Sequence, residues 1–318
     1  MKVQRVKDKT KLQKYMIVGV LLVLLIVLTI LTPEFLTYNN ITNVLRQTSA
    51  VILAGCAVTL LMISGNFDLS IGSIMAISGT LSAIFVTKGM PLPLSIVASI
   101  LVGSLIGLLN GFLVVVMKVP SIIATLGTMY SVRGVAWVIT EGASIHLGLG
   151  KNFTYLGRGF IGPIPLSIFI TAVVFLIFFF IQHKTLLGKY SYAIGGNQRT
   201  ALLSGINIYR VGIILYILVG TMAGFSGTMM ASRLGVGNAN IGQGFEFDVV
   251  VAVVLGGASL DGGEGSIFGM VIGALIVGFI GNGLNLMGVH SFYQDVVKGI
   301  VLVGAVLLDR VMQSRLEG

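Results

Sequence analysis

Apolar runs of about twenty residues recur along the whole chain and leave few folds open. They lie near 15–32, 44–64, 69–87, 93–117, 121–140, 165–182, 210–231, 247–259, 267–286 and 293–308, with short polar interruptions between them. A helix needs a run of that length to cross the hydrocarbon core, where any open, unpaired backbone would strand its polar groups. The pattern predicts an all-α, polytopic integral membrane protein with about ten transmembrane helices. Charged residues are only 10% of the 318, against about a quarter in a soluble domain. The eighth run is short, so a broken or re-entrant helix there leaves nine or eleven crossings open.

A net charge of +9 would point to nucleic acid in a soluble chain, but here the positions decide, and no nucleic acid partner is expected. Lys2, Arg5, Lys7, Lys9, Lys11 and Lys14 precede the first run. No small-residue cleavage pattern follows that run, where Pro33-Glu34-Phe35 stands instead, so it reads as a retained span rather than a signal peptide. With ten spans, Lys118, Lys184, Lys189, Arg199, Arg210, Arg310 and Arg315 join the basic leader on one face. Lys88, Lys151, Arg158 and Arg233 fall on the other. The positive-inside rule then makes both termini cytoplasmic. The expected organisation is a cytoplasmic leader (1–14), a transmembrane domain (15–308) with a cytoplasmic loop at 183–209, and a cytoplasmic tail (309–318). The single cysteine, Cys56, sits in an apolar run and rules out a disulfide framework.

Gln182–Arg210 is the longest cytoplasmic-facing interruption and carries four basic residues with no acid. Gly195-Gly196 break the chain, Asn197 can cap free N–H groups, and Gly205 suits a left-handed stop. Between them Gln198–Ser204 fits about two helical turns. The pattern leaves a solvated connector and a docking element for a soluble partner both open.

Gly103, Gly107 and Gly111 fall four apart in one span, and Gly265, Gly269 and Gly273 repeat that spacing in another. Such ridges let helix backbones approach closely. The two stretches align about half a chain apart and cross in opposite directions, as an inverted repeat requires. Chance in a chain with 43 glycines is the other reading.

Enzymatic signatures are absent. Gly150-Lys151 and Gly188-Lys189 lack the first glycine and the Ser/Thr of a phosphate-binding loop, and His146, His183 and His290 lack ligand spacing. No metal site or bound cofactor is expected. Asp68 stands where it can cap the third span, and a proton-relay role lacks a neighbouring acid in sequence. Asp261 and Glu264 resemble a capping box before the ninth span. Arg133 lies within an apolar span and needs a partner, with Glu141 and Glu246 as candidates. Asn110, Asn282 and Asn285 suit hydrogen bonds to substrate hydroxyls or to neighbouring helices.

Several segments together resemble the permeases of ribose-type ATP-binding-cassette sugar importers, a family that includes autoinducer-2 permeases. They are Asp68-Leu69-Ser70-Ile71-Gly72-Ser73, Pro120–Thr128, Arg133-Gly134, Gly195-Gly196-Asn197 with Ser204-Gly205-Ile206, Gly256–Gly263, Asn282–Leu286 and Lys298-Gly299. The resemblance implies a permease paired with a second copy or homologue in the bacterial inner membrane. It also implies an extracytoplasmic sugar-binding protein and a cytoplasmic ATPase that carries ATP and magnesium. Under it, Gly195, Gly196, Asn197, Arg199, Ala201, Ser204 and Gly205 become the ATPase-coupling element. Of the importer signature E-A-A-x-x-x-G only Ala201 and Gly205 match; Arg199 replaces the acid. Asn66, Asp68, Ser70, Asn110, Thr125, Thr128, Asn282 and Asn285 are the expected pathway or gating residues, and Lys151, Arg158 and Arg233 the expected docking residues for the binding protein. An ion-coupled secondary transporter, with Asp68, Glu246 or Asp248 as its acid, is the alternative from another class.

Overall fold

The computed structural model describes residues 2–146 and 151–290, and beyond them 293, 294, 296, 297, 299, 300, 303, 304 and 307, with side chains from Ile17 on except those of Lys151 and Asn152. The chain is helical almost throughout. Its helices are α1 (Lys2–Leu31), α2 (Tyr38–Ile63), α3 (Ile71–Thr87), α4 (Leu92–Gly111), α5 (Ser121–Thr140), α6 (Lys151–Arg158), α7 (Leu166–Lys184), α8 (Leu186–Gly196), α9 (Gln198–Leu203), α10 (Ile208–Leu234), α11 (Phe245–Leu255) and α12 (Ile267–Leu286). Among the described residues two minimal antiparallel sheets complete it: a long-range pair, β1 (Ile145–His146) with β4 (Val236–Gly237), and a hairpin, β2 (Phe160–Ile161) with β3 (Ile164–Pro165). Pro91, Pro120 and Pro165 stand immediately before α4, α5 and α7, where a missing N–H costs nothing.

Among the described residues six helices are long and apolar enough to cross a membrane: α2, α4 with its π-helical extension Phe112–Val116, α5, α7, α10 and α12. Ile17–Leu31 and α3 are shorter apolar helices. The tenth expected span, 293–308, is described at nine of its sixteen positions, none of them in an unbroken run long enough to test it. The eighth, expected over 247–259, is corrected: α11 has only 11 residues and reaches about 16 Å, half a hydrocarbon core. It ends at Gly257, whose φ of +87° lets its N–H and that of Ala258 bond back to the Val254 and Val253 carbonyls, while Gly256 leaves no room for a Cβ against Gly269 and Met270.

α2 and α10 form the centre. Burial reaches 78% of α2's apolar window but only 22% in α4, α5 and α7, which lie outermost. A helix apolar on all sides and buried on all sides is a core helix. The glycine ridges explain the closest contacts. A side chain at Gly103 or Gly107 would strike the backbone of Gly220 or Tyr216 on α10; one at Gly269 or Gly273 would strike Gly256 or Ala252 on α11. The packed pairs also come in exchanged sets: α3–α4 and α11–α12, α4–α10 and α12–α2, α3–α10 and α11–α2. That exchange is the packing two copies of one repeat produce.

Candidate functional site

α10, at 27 residues, spans about 40 Å and separates two ends of the molecule. At its N-terminal end the polar loop forms α8 and α9. Asn197 Oδ1 accepts from Thr200 N at 2.8 Å, capping α9. At the other end of α9, Gly205 adopts φ +81° while its N–H and that of Ile206 bond to Leu202 and Ala201 carbonyls, a left-handed C-terminal cap. Ala201 points inward, whereas Leu202 and Leu203 are exposed, Leu203 at 81%. Arg199 and Ser204 are also exposed.

Three separate chain segments cross beneath α9 at glycines. Gly263 N donates to Ile63 O at 2.8 Å. A Cβ on Gly195 would collide with the Ile63 carbonyl oxygen and Gly263 N, and Gly262 lies against Gly65. A Cβ on Gly196 would meet nothing, although the Gly196 backbone is what a Cβ on Gly263 would strike. Behind this crossing Gln182 Nε2 donates to Tyr192 Oη at 2.7 Å, its Oε1 accepts from Ile267 N at 3.2 Å, and Tyr192 Oη donates to Gly265 O at 2.6 Å. Burial pushes the Tyr192 phenol up, with the Gln182 bond pulling the other way. Tyr192 therefore stays a donor at neutral pH. α8 and the start of α12 are thus clamped together. Sequence reasoning missed Gln182 and Tyr192; the polar Gln182 closing an apolar run was the available signal.

Beside the crossing, a groove of about 590 Å³ is lined by Asn66, Lys118, Ser121, Gln198, Arg199 and Tyr209 among others. Asn66 is the pathway candidate that it contains. Asp68, Ser70, Asn110 and Thr125 lie in a buried knot instead. Asp68 Oδ1 accepts from Ser70 N (2.8 Å) and Ser70 Oγ (2.6 Å). Asn110 Nδ2 donates to Asp68 Oδ2 (3.1 Å) and Ser70 Oγ (2.8 Å), and Leu69 N donates to Thr125 Oγ1 (3.1 Å). Asp68 therefore braces the loop between α2 and α3, correcting its expected role as a cap: Ser70 is the N-cap residue, and it makes no side-chain cap bond. Thr128 bonds back to Ala124 O within α5. The Asp261–Glu264 capping box is likewise replaced, because Ser266 caps α12 through Gly269 N at 3.3 Å.

The knot makes a sharp prediction. Asp68→Leu removes the acceptor of Ser70 N and Ser70 Oγ and one of the two acceptors of Asn110 Nδ2, and should cost about 3 kcal/mol. Asp68→Asn should cost less than about 1 kcal/mol. A flip of the Asn110 amide would turn its buried, unpaired Oδ1 toward the new amide. Thermal unfolding in detergent, followed by thiol-dye labelling of the buried Cys56, measures both. Equal losses would show that charge, not hydrogen bonding, holds the knot.

At the opposite end Asn282 and Asn285 line a second groove of about 230 Å³, with Gln47, Thr48, Asp248 and Gln294. Asn282 and Asn40 exchange two amide hydrogen bonds, of 2.7 and 2.9 Å, and Gln294 Nε2 donates to Asn285 Oδ1 at 2.9 Å. Arg158 is occupied at this end, donating from Nε to Arg233 O (2.6 Å) and from Nη2 to Leu234 O (2.9 Å) to close the C-terminus of α10. Arg233 stands beside Arg46, whose guanidinium covers the Phe160 ring at 4.9 Å. The Lys151 side chain lies outside the described ones. Among the described residues no group of three or more His, Cys, Asp or Glu side chains could hold a metal ion.

Residues 40–306 match the family model described as branched-chain amino acid transport system / permease component. The ribose import permease protein of Escherichia coli K12 is 40% identical over 296 residues, covering 92% of each chain. The ribose import permease protein of Bacillus subtilis is 43% identical over 91% of this chain and 90% of its own. The L-arabinose ABC transporter permease protein of Azospirillum brasilense is 36% identical over 94% and 88%. No solved structure matches the chain.

Proposed function

The chain belongs to the family of branched-chain amino acid transport system permease components, and from that premise we propose that it is the membrane-spanning subunit of an ATP-driven sugar importer. The observation that carries this reading is near-full-length similarity to ribose import permeases, at 40% identity in one of them. The cargo is a monosaccharide, a ribose-like pentose or a hexose, handed over by an extracytoplasmic binding protein. ATP and magnesium sit on a separate cytoplasmic ATPase, and a second permease copy or homologue completes the pathway.

The two ends take different tasks in this reading. α9, held between its Asn197 cap and Gly205, offers Leu202, Leu203 and Arg199 to the ATPase. The cationic groove beside it, with Lys118 and Arg199, suits acidic side chains on that partner. The amide- and hydroxyl-lined groove at Asn282 and Asn285 suits a neutral, hydroxyl-rich cargo, for which weak polar contacts suffice. Arg233 and Lys151 face the binding protein, while Arg158 shapes that surface by fixing the end of α10. Both termini are then cytoplasmic, in a bacterial inner membrane.

Proteoliposomes holding this chain, its ATPase and its binding protein test the reading. We expect uptake of one of ribose, arabinose, allose or autoinducer-2 that requires ATP and survives collapse of the proton gradient. Uptake driven by an ion gradient without ATP would replace the importer with a secondary transporter.

A further inference from the structure

Arg133 is a charged residue inside an apolar helix, and neither groove described above uses it. From α5 it reaches the segment between α10 and α11. Nη1 donates to the carbonyls of Ala239 (2.7 Å) and Ile241 (3.3 Å), and Nη2 to that of Gly242 (3.3 Å). This segment leaves α10 at Gly235 and runs back along α3. Gly237 lies against Ala83 and Thr80, and Gly242, at φ +74°, against Gly72 and Met75. α11 starts where the segment ends, beyond Gly244 at φ +77°.

A second acceptor stands beside the first three. Glu246, in the first turn of α11, is 6% exposed, and its Oε2 has no hydrogen-bond partner. A Cβ built on Gly72 would run into that oxygen and lie 3.4 Å from Arg133 Nη2, so guanidinium and carboxylate border the same glycine. One cation thus has two neighbouring sets of acceptors: carbonyls that it holds and a carboxylate oxygen that it does not.

We propose that Arg133 is the latch of a gate formed by residues 235–244. On the three carbonyls it pins the segment against α3; transferred to Glu246 it lets the segment go. Charge-assisted bonds are strong, and an unpaired guanidinium among apolar helices is costly, so the two bound arrangements are discrete and the path between them is short-lived. Gly242 and Gly244 supply backbone freedom at the hinge. Arg133 is a positioning residue: it acts through the segment and touches no cargo. The inference rests on the transporter reading for its purpose, and on geometry alone for its two states.

The experiment uses the full chain assembled with its ATPase and binding protein, with Cys56→Ser and Ala239→Cys added. Ala239 is 1% exposed, so its thiol reports release of the segment. Arg133→Gln should lower sugar uptake about tenfold and speed labelling of the thiol by a similar factor, about tenfold. Arg133→Lys keeps the charge but cannot span three carbonyls, and should fall between. It carries the test if Arg133→Gln does not reach the membrane. Glu246→Gln should also lower uptake about tenfold while labelling stays slow, because the carbonyl-bound state is kept. A purely structural arginine would not separate these two readouts. Unchanged labelling in Arg133→Gln and Arg133→Lys would overturn the latch, as would fast labelling in Glu246→Gln. Should the parent complex take up no sugar, the importer reading fails, and the labelling rates still decide whether the latch exists.

Discussion

Gly195→Ala is expected to destabilise the protein by about 3 kcal/mol, whereas Gly196→Ala, one residue on, should change stability by less than about 0.5 kcal/mol. The added methyl at 195 would enter space held by the Ile63 carbonyl oxygen and Gly263 N, which are bonded to each other at 2.8 Å. Both are backbone atoms of separate segments, so relief requires moving the end of α2 or the loop before α12. At 196 the same methyl meets nothing within 4 Å. Cys56, buried in α2 and alone of its kind, reports unfolding as thiol-dye uptake on heating. Parallel behaviour of the two variants would mean that the three-segment crossing opens without cost.

Gly205→Val should act on transport rather than on stability. There is open space around Gly205, so a side chain fits; what fails is the backbone, since φ +81° is a strained conformation for a β-branched residue by about 2 kcal/mol. Relaxation would undo the two bonds to Leu202 and Ala201 that close α9. The exposed Leu202 and Leu203 would then turn away from the ATPase proposed to dock on them. We expect normal recovery from the membrane, at least about tenfold lower uptake, and continuing ATP hydrolysis that no longer follows cargo. Gly205→Asn should retain most uptake, because asparagine tolerates the left-handed region. Full uptake by Gly205→Val would remove α9 from the coupling path.

Much of this architecture could be read from residues because its causes are local. The prolines before α4, α5 and α7, the Asn197 cap and the Gly205 stop all act within a few residues of themselves. The knot around Asp68 was half legible: a structural carboxylate showed in sequence, read there as a cap, but its partner Asn110 lies two helices away, near the end of α4. The glycines at 195, 196, 262 and 263 were visible as motifs, yet their reason is a crossing of segments far apart in the chain, which no periodicity encodes. For Arg133 the sequence offers the acids Glu141 and Glu246 as partners. Its bonded partners are carbonyls, which every residue carries and none advertises. Glu141 instead ends α5 in a left-handed conformation, φ 49°. The end of α11 was hidden because Gly256-Gly257-Ala258 continues the apolar composition past the left-handed stop at Gly257.

The brevity of α11 also bears on how the chain is made. At about 16 Å it is too short to partition into a bilayer by itself. Nor can the non-helical stretch before it be left facing lipid, where its carbonyls would have no donors. Both become tenable only once α3 and α5 are in place to receive the stretch and α12 has emerged to meet Gly256. The molecule therefore cannot be completed span by span in the order of synthesis: residues 235–255 must wait for a helix translated after them, and their settling is a late step of membrane biogenesis.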